Sequence, residues 1–185
     1  MLFRSVSQSR YGVYGGNVET YDMELKRADQ LLNGEYGAWR TLGNHTAKGH
    51  GEEQFCGILE RKLLKSESVK DSVCGHFQWL LVSHDNPGRR QPDEALRRID
   101  KVGPYNNKGL LSPWEQPTDA YYMYKSHEVS ADKDPFVYII RDGKYDRYYT
   151  NADSVRMGTE CGMIRALAYR HGRVVAMDSV FALLS

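Results

Sequence analysis

The chain has 185 residues, of which 41% are hydrophobic and 26% are charged. This is the composition of a folded globular protein, so it excludes an intrinsically disordered chain and a fibrous repeat. The 25 basic and 24 acidic residues leave a formal net charge of +1, which argues against a broad nucleic-acid-binding surface or a polybasic membrane surface.

Cysteine usage and hydropathy predict the compartment. Cys56, Cys74 and Cys161 are an odd and widely spaced set, which does not suit a disulfide framework and is typical of reduced thiols in the cytosol. The first residues contain no apolar run of signal-peptide length, and no stretch approaches 18 apolar residues. We therefore expect a cytoplasmic protein with no membrane partner, and we do not expect a nucleic-acid partner.

In the first half of the chain, Leu2–Ser7 alternates apolar and polar residues and predicts a short strand. A long helix follows, with Asn17 as its N-cap and Gly34 as its stop. Its apolar face consists of Val18, Tyr21, Leu25, Ala28 and Leu32. A second strand is predicted over Ala38–Leu42.

The middle of the chain leaves one element open. Phe55, Leu59 and Leu63 have helical spacing, whereas Gly57 weakens a helix and keeps a strand as the alternative. We expect a helix over Ser66–Phe77, followed by a buried strand at residues 79–82, which form a continuous apolar run. The proline-rich segment 103–119 is expected to be irregular.

The last third predicts a β-hairpin, a helix and a strand. Phe136–Ile140 and Tyr145–Tyr149 flank an Asp142-Gly143 turn. Asn151 or Asp153 is expected to cap a helix that ends at Gly172, before the final strand Val174–Met177. The apolar face of that helix consists of Met157, Cys161, Ile164 and Ala168.

These elements predict an α+β fold over residues 1–185 as a single domain. Its sheet is expected to be mixed or antiparallel, with helices packed mainly on one face and the β-hairpin–helix–strand unit at the C-terminus.

His50-Gly51-Glu52 is half of a zinc-deaminase signature, in which the histidine binds zinc and the glutamate moves protons. The other half is a Pro-Cys-x-x-Cys segment. After the 79–82 run the sequence has Pro87 but neither cysteine, and zinc needs three protein ligands. The pattern indicates at most a deaminase-like domain without the usual zinc cysteines, and we predict no metal.

A second pattern is spread over the first 85 residues. Val6–Arg10 ends the first strand, a helix follows, Glu52 and Glu53 form an acidic pair, and Gln78 precedes the apolar run. This order resembles that of the small phage-encoded S-adenosylmethionine lyases.

The resemblance implies cleavage of S-adenosylmethionine to methylthioadenosine and homoserine lactone, an anti-restriction role in the host and a homo-oligomeric state. The substrate's own carboxylate would displace its sulfonium group, so no cofactor is implied and the enzyme works by positioning the substrate. The implied catalytic residues are Glu53, Glu52 and Gln78, and the implied substrate-binding residues are Ser7, Arg10, Tyr11, Tyr14 and Asn17.

Two other functions remain open beside the lyase. One is a non-catalytic viral protein that binds or inhibits a host or defence factor, and it would present an exposed apolar or tyrosine-rich patch. The other is the deaminase-like domain. The lyase requires Glu52 and Glu53 to lead a strand, whereas the deaminase requires Glu52 to open a buried helix.

Overall fold

The computed structural model describes residues 4–5, 31–36, 41, 43–68, 70–71, 73–85 and 105–182. Side chains are described for 41, 43–68, 70–71, 78–84 and 107–182. The described part combines two helices with parallel and antiparallel sheets, which confirms the predicted α+β class. The chain forms two compact units, Met1–Thr118 and Asp119–Ser185. The single-domain organisation stays a prediction.

The first unit is built around a three-stranded parallel sheet in the order β1-β2-β3. Helix α1 lies between β2 and β3 in the sequence, so these three elements make a βαβ unit. Strands β4 and β5 form a separate antiparallel pair. The elements are β1 Arg4–Ser5, β2 Leu31–Tyr36, α1 Glu52–Ser68, β3 Val73–Gln78, β4 His84–Asp85 and β5 Tyr105–Asn106.

Helix α1 confirms the helical alternative for residues 53–64. Phe55, Leu59 and Leu63 are fully buried on one face of it. Burying each such side chain contributes about 1.5–3 kcal/mol relative to exposure. The burial of these three residues on one helical face therefore outweighs the low helix propensity of Gly57.

Three predictions in this unit are wrong. Leu31–Tyr36 is a strand, so the long helix predicted to run through Leu32 to a stop at Gly34 does not extend that far. The helix predicted over Ser66–Phe77 is the end of α1 followed by β3. In each case, parallel pairing between β2 and β3 supplies backbone hydrogen bonds that a local periodicity of three or four residues does not reveal.

The third wrong prediction is the buried strand at residues 79–82. Trp79 is 39% exposed and Leu81 is 59% exposed. The carbonyl oxygens of Leu80 and Leu81 accept hydrogen bonds from the backbone N–H groups of Leu110 and Leu111, at 3.0 and 2.7 Å. The run is therefore an irregular segment held against the proline-rich region. In the described part of that region, residues 107–118 lie outside helices and strands, as predicted.

The second unit has one helix, a two-stranded sheet and a three-stranded antiparallel sheet in the order β10-β9-β8. Val137, Ile139, Ala166 and Ala168 form the buried core between the two sheets. Its elements are α2 Asp119–Glu128, β6 Val137–Ile139, β7 Tyr148–Thr150, β8 Ser154–Glu160, β9 Met163–Arg170 and β10 Arg173–Phe181.

The hairpin predicted around Asp142-Gly143 is present, with β6 and β7 as its paired strands. Its return strand is Tyr148–Thr150 rather than the predicted Tyr145–Tyr149, so the connection is longer than a two-residue turn. The helix predicted after it is wrong, because residues 154–170 form β8 and β9. Cys161 and Gly162 both have positive φ angles, of 51° and 75°, as a two-residue turn between antiparallel strands requires. The predicted C-terminal unit is therefore a hairpin followed by three antiparallel strands.

The two residues predicted to cap that helix stabilise turns instead. Asn151 accepts a hydrogen bond from the N–H of Phe136 at 3.1 Å and donates to the carbonyl of Val129 at 2.8 Å. Asp153 accepts from the N–H of His171 at 2.9 Å, in the turn between β9 and β10.

Neither helix in the described residues is long and apolar enough to cross a membrane.

Candidate functional site

The carboxyl ends of β2 and β3 lie side by side in the parallel sheet. Tyr36, the last residue of β2, is in register with Gln78, the last residue of β3. In parallel α/β sheets, ligands bind at the carboxyl ends of the strands because the loops that follow them converge there. This edge of the first unit is therefore our candidate functional site.

Glu35 is the acidic residue at this edge. It is the fifth of the six residues of β2 and directly precedes Tyr36. A carboxylate at the end of a parallel strand is suited to act as a nucleophile or as a general acid or base. Neither of the other described strands of this sheet has an acidic residue in its last two positions, since β1 is Arg4–Ser5 and β3 ends in Phe77 and Gln78.

Glu35 is not among the site residues predicted from the sequence, because the spacing of Leu32 fits a helical face and hides the strand. A usable signal is present in the sequence: the apolar pair Leu31-Leu32 is followed at once by Asn33, Gly34 and Glu35. A short apolar run that ends in polar residues and glycine is also the pattern of a buried strand entering a functional loop.

Gln78, a predicted catalytic residue, lies at this same edge. Its side chain is partly buried, and its amide Nε2 donates a hydrogen bond to the carbonyl oxygen of Trp79 at 2.9 Å. Trp79 follows β3 directly and is 39% exposed. This edge therefore has an acidic residue, Glu35, near the end of β2. At the end of β3 it has the Gln78 amide and the exposed Trp79.

Glu52 is the first residue of helix α1, and its contacts there stabilise the start of the helix. The side chain is 6% exposed, and its Oε1 accepts a hydrogen bond from the buried Thr41 hydroxyl at 3.0 Å. Thr41 Oγ1 in turn accepts from the N–H of Gly43 at 2.9 Å. An acidic side chain in the first helical turn also interacts favourably with the helix dipole.

Glu53 is the second residue of α1, and its Oε1 lies 3.0 Å from Nδ1 of His45. The turn before the helix is tight, because a Cβ on Gly51 would collide with the carbonyl oxygen of Thr46. The lyase hypothesis requires Glu52 and Glu53 to lead a strand, and here they lead a helix.

The predicted substrate-binding residues lie outside the described residues; they are Ser7, Arg10, Tyr11, Tyr14 and Asn17.

No protein-family model matches the chain. A putative beta-glucuronidase of Formosa agariphila is 27% identical over 161 residues, an alignment that covers 69% of this chain and 18% of that protein. The chain thus spans less than a fifth of the length of this curated relative.

Solved structures of beta-glucuronidases have a similar fold. The enzyme of Parabacteroides merdae matches with a TM-score of 0.66 and 18% identity, over 90% of this chain and 27% of that one. Beta-glucuronidase 2 of Bacteroides uniformis, covalently bound to cyclophellitol-6-carboxylate aziridine, matches with a TM-score of 0.64 and 19% identity, over 97% of this chain and 25% of that one.

These comparisons contradict the resemblance to phage S-adenosylmethionine lyases. They also overturn the predicted cleavage of S-adenosylmethionine and the anti-restriction role, and the catalytic roles of Glu52, Glu53 and Gln78 that this resemblance implied lose their basis. The viral-inhibitor and deaminase alternatives gain no support, although Glu52 does open a helix as the deaminase hypothesis requires. The fold instead is similar to about a quarter of a beta-glucuronidase.

Proposed function

We propose that the first unit forms part of a glycoside hydrolase site for β-glucuronides, and that Glu35 supplies one of its carboxylates. The observation that carries this proposal is the position of Glu35 at the carboxyl end of a parallel strand, in a chain whose fold is similar to that of beta-glucuronidases. The predicted cytoplasmic location and homo-oligomeric state stay predictions beside it.

Glycoside hydrolysis needs two carboxyl groups on either side of the bond that breaks. In the retaining mechanism one carboxylate attacks the anomeric carbon and forms a glycosyl ester. The other, protonated, gives its proton to the leaving oxygen and then activates the water that hydrolyses the ester. We propose the nucleophilic role for Glu35. A protein of similar fold, beta-glucuronidase 2 of Bacteroides uniformis, is covalently bound to cyclophellitol-6-carboxylate aziridine, so this reagent can test the role.

The neighbouring groups suit a sugar ligand. Gln78, in register beside the end of β2, carries an amide that can hydrogen-bond a sugar hydroxyl. The exposed indole of Trp79 offers an apolar surface and one N–H donor, which suits a ring with both C–H and hydroxyl groups.

The test uses the purified chain with cyclophellitol-6-carboxylate aziridine and an aryl β-glucuronide. We expect the inhibitor's mass on a peptide that contains Glu35, together with measurable glucuronide hydrolysis. Glu35→Gln should abolish the adduct and reduce hydrolysis by at least about a hundredfold. Glu67→Gln removes an exposed carboxylate at the far end of α1 and should change neither.

Circular dichroism shows whether each variant is folded. An adduct that persists in folded Glu35→Gln would exclude Glu35 as the nucleophile. The absence of both an adduct and hydrolysis in the folded wild-type chain would contradict the proposed function.

A further inference from the structure

The two faces of the sheet β8-β9-β10 differ in chemistry. The inner face carries Ala166 and Ala168, which pack into the core with Val137 and Ile139. Side chains of a strand alternate between faces, so the outer face carries the other set of residues. It includes Arg156 and Gly158 of β8, Arg165 and Leu167 of β9, and Met177 and Ser179 of β10, which pair in register across the strands.

A depression of about 320 Å³ opens on this sheet around Gly158. Arg156, Glu160, Arg165 and Leu167 are among the residues that line it. The missing side chain of Gly158 helps to create this space, because a Cβ added there would meet no atom within 4 Å. The volume is at the lower end of the range for small-molecule sites and suits a single sugar ring.

Two guanidinium groups give the depression a positive charge. Arg165 Nη1 lies 3.3 Å from Glu160 Oε2, with the arginine side chain 41% exposed and the glutamate 69% exposed. A pair as exposed as this contributes little to stability. Arg156 is exposed and makes no ion pair within the described ranges. The two arginines against one glutamate leave a formal charge of +1.

The Nε of Arg165 is covered by neighbouring atoms and has no hydrogen-bond partner among the residues that the structure describes. The side chain as a whole is 41% exposed, so a ligand reaches the guanidinium through its Nη groups. A covered donor without a partner lowers stability. A guanidinium binds a carboxylate best through two parallel N–H groups, and only Nη1 is engaged by Glu160, at a long distance.

We propose that this depression binds the carboxylate of a uronic acid residue. Arg165 pairs with the carboxylate, Arg156 adds a second positive charge, and Leu167 contacts the apolar part of the sugar ring. The choice of a uronate rests on the proposed function, whereas the choice of a carboxylate rests on the two arginines. All the residues that line the depression belong to the second unit, and we propose that it holds an acidic saccharide rather than cleaves it.

The test is a titration of the purified, isotopically labelled chain, followed by the backbone amide resonances of Gly158 and Arg165. Sodium D-glucuronate is the probe, glucose is the sugar without a carboxylate, and sodium acetate is the carboxylate without a sugar. We expect saturable shifts with glucuronate, none with glucose, and weaker binding of acetate. Added salt should weaken the binding because the attraction is between exposed charges.

Three variants locate the site. Arg165→Gln should raise the Kd for glucuronate by about tenfold or more, the loss expected for a charged hydrogen-bonded pair. Gly158→Val should fill the depression and abolish binding while leaving the fold intact, because its Cβ has open space. Arg173→Gln, an exposed arginine on β10 that does not line the depression, should leave the Kd unchanged.

Glu35→Gln should leave this titration unchanged, which separates the site from the proposed hydrolysis. An unchanged Kd in both Arg165→Gln and Gly158→Val would overturn the site. Equal affinity for acetate and glucuronate would overturn the sugar assignment. No shift at these amides with glucuronate would overturn the proposal whatever the outcome of the Glu35 labelling.

Discussion

The rings of Tyr122 and Tyr138 are stacked, with centroids 3.8 Å apart and planes inclined by 5°. Tyr122 lies on α2 and Tyr138 on β6. The Tyr138 hydroxyl donates a hydrogen bond to Oδ1 of Asp119 at 2.7 Å, and the guanidinium of Arg141 lies 5.1 Å from the Tyr138 ring centroid. The stack and the hydrogen bond therefore fix the first turn of α2 to the hairpin.

Replacing Tyr138 by phenylalanine should lower the free energy of unfolding by about 1–2 kcal/mol. The ring stack survives this change, but the buried Asp119 loses the Tyr138 hydroxyl as a donor. Urea denaturation measures the difference. Tyr122→Phe is the matched control, because it keeps the same stack and should change stability by less than about 0.5 kcal/mol. Equal losses in the two variants would contradict a specific role for the Tyr138 hydroxyl.

Stability should also fall at alkaline pH because of Tyr138. Burial, and then the hydrogen bond to Asp119, raise the pKa of Tyr138 well above its ordinary value of 10.0. The unfolded chain therefore loses this proton at a lower pH than the folded protein does. The free energy of unfolding should decline as the pH rises above about 10, in proportion to the difference in bound protons.

Unfolding measured at several pH values above neutrality tests this. The alkaline decline should be smaller in Tyr138→Phe, which has no phenol to titrate at this position. If the free energy of unfolding declined equally steeply with pH in the wild-type protein and in Tyr138→Phe, a group other than Tyr138 would cause the alkaline decline.

Sequence alone predicted elements whose stability is local. Phe55, Leu59 and Leu63 favour α1 because one helix face buries all three, although the sequence left a strand open there. Asp142-Gly143 predicts a chain reversal because its turn chemistry is local. The wrong predictions lie where pairing between residues far apart in the sequence determines the secondary structure. Met157, Cys161, Ile164 and Ala168 fit a helical face, but Ile164, Ala166 and Ala168 also alternate as a strand does, and pairing across β8-β9-β10 selects the strand.

The candidate site shows the same limit. Glu35 becomes a candidate only when β2 is known to run parallel to β3 and to end beside Gln78. Register between strands that are separated by a helix is a long-range property, and no single segment of the sequence encodes it. The acidic pair Glu52 and Glu53 is conspicuous in the sequence, yet at least Glu52 is held by a contact that stabilises the helix start.

Replacing Glu52 by alanine should lower the free energy of unfolding by about 1–3 kcal/mol, because the buried Thr41 hydroxyl loses its acceptor and the helix loses an acidic first turn. Glu52→Gln keeps an acceptor and should lose less. A double-mutant cycle with Thr41→Val isolates the shared hydrogen bond. Glu67→Gln, at the exposed end of the same helix, should have little effect. An unchanged stability in Glu52→Ala would show that the contact contributes nothing net.

The free energy of unfolding should fall in acid because of Asp142, which accepts hydrogen bonds in the hairpin turn. Asp142 Oδ1 accepts hydrogen bonds from the N–H groups of Lys144 and Tyr145 at 3.0 and 3.1 Å, and Oδ2 accepts from Arg147 Nη2 at 2.7 Å. Burial by itself would raise the pKa of Asp142, but the Arg147 hydrogen bond and the two backbone donors outweigh it, so the pKa lies below its ordinary value of 3.8.

The folded protein therefore keeps Asp142 ionised at a pH where the unfolded chain has bound a proton. This contribution to stability is present above about pH 4 and is lost as the pH falls through the folded-state pKa. Urea denaturation from about pH 6 to about pH 2 measures the loss. Asp142→Asn should be less stable than the wild-type protein at neutral pH, and the difference should shrink in acid. Asp146→Asn removes an exposed carboxylate from the same loop and should leave the acid profile unchanged; a similar change in both variants would mean that the loss reflects net charge rather than the Asp142 hydrogen bonds.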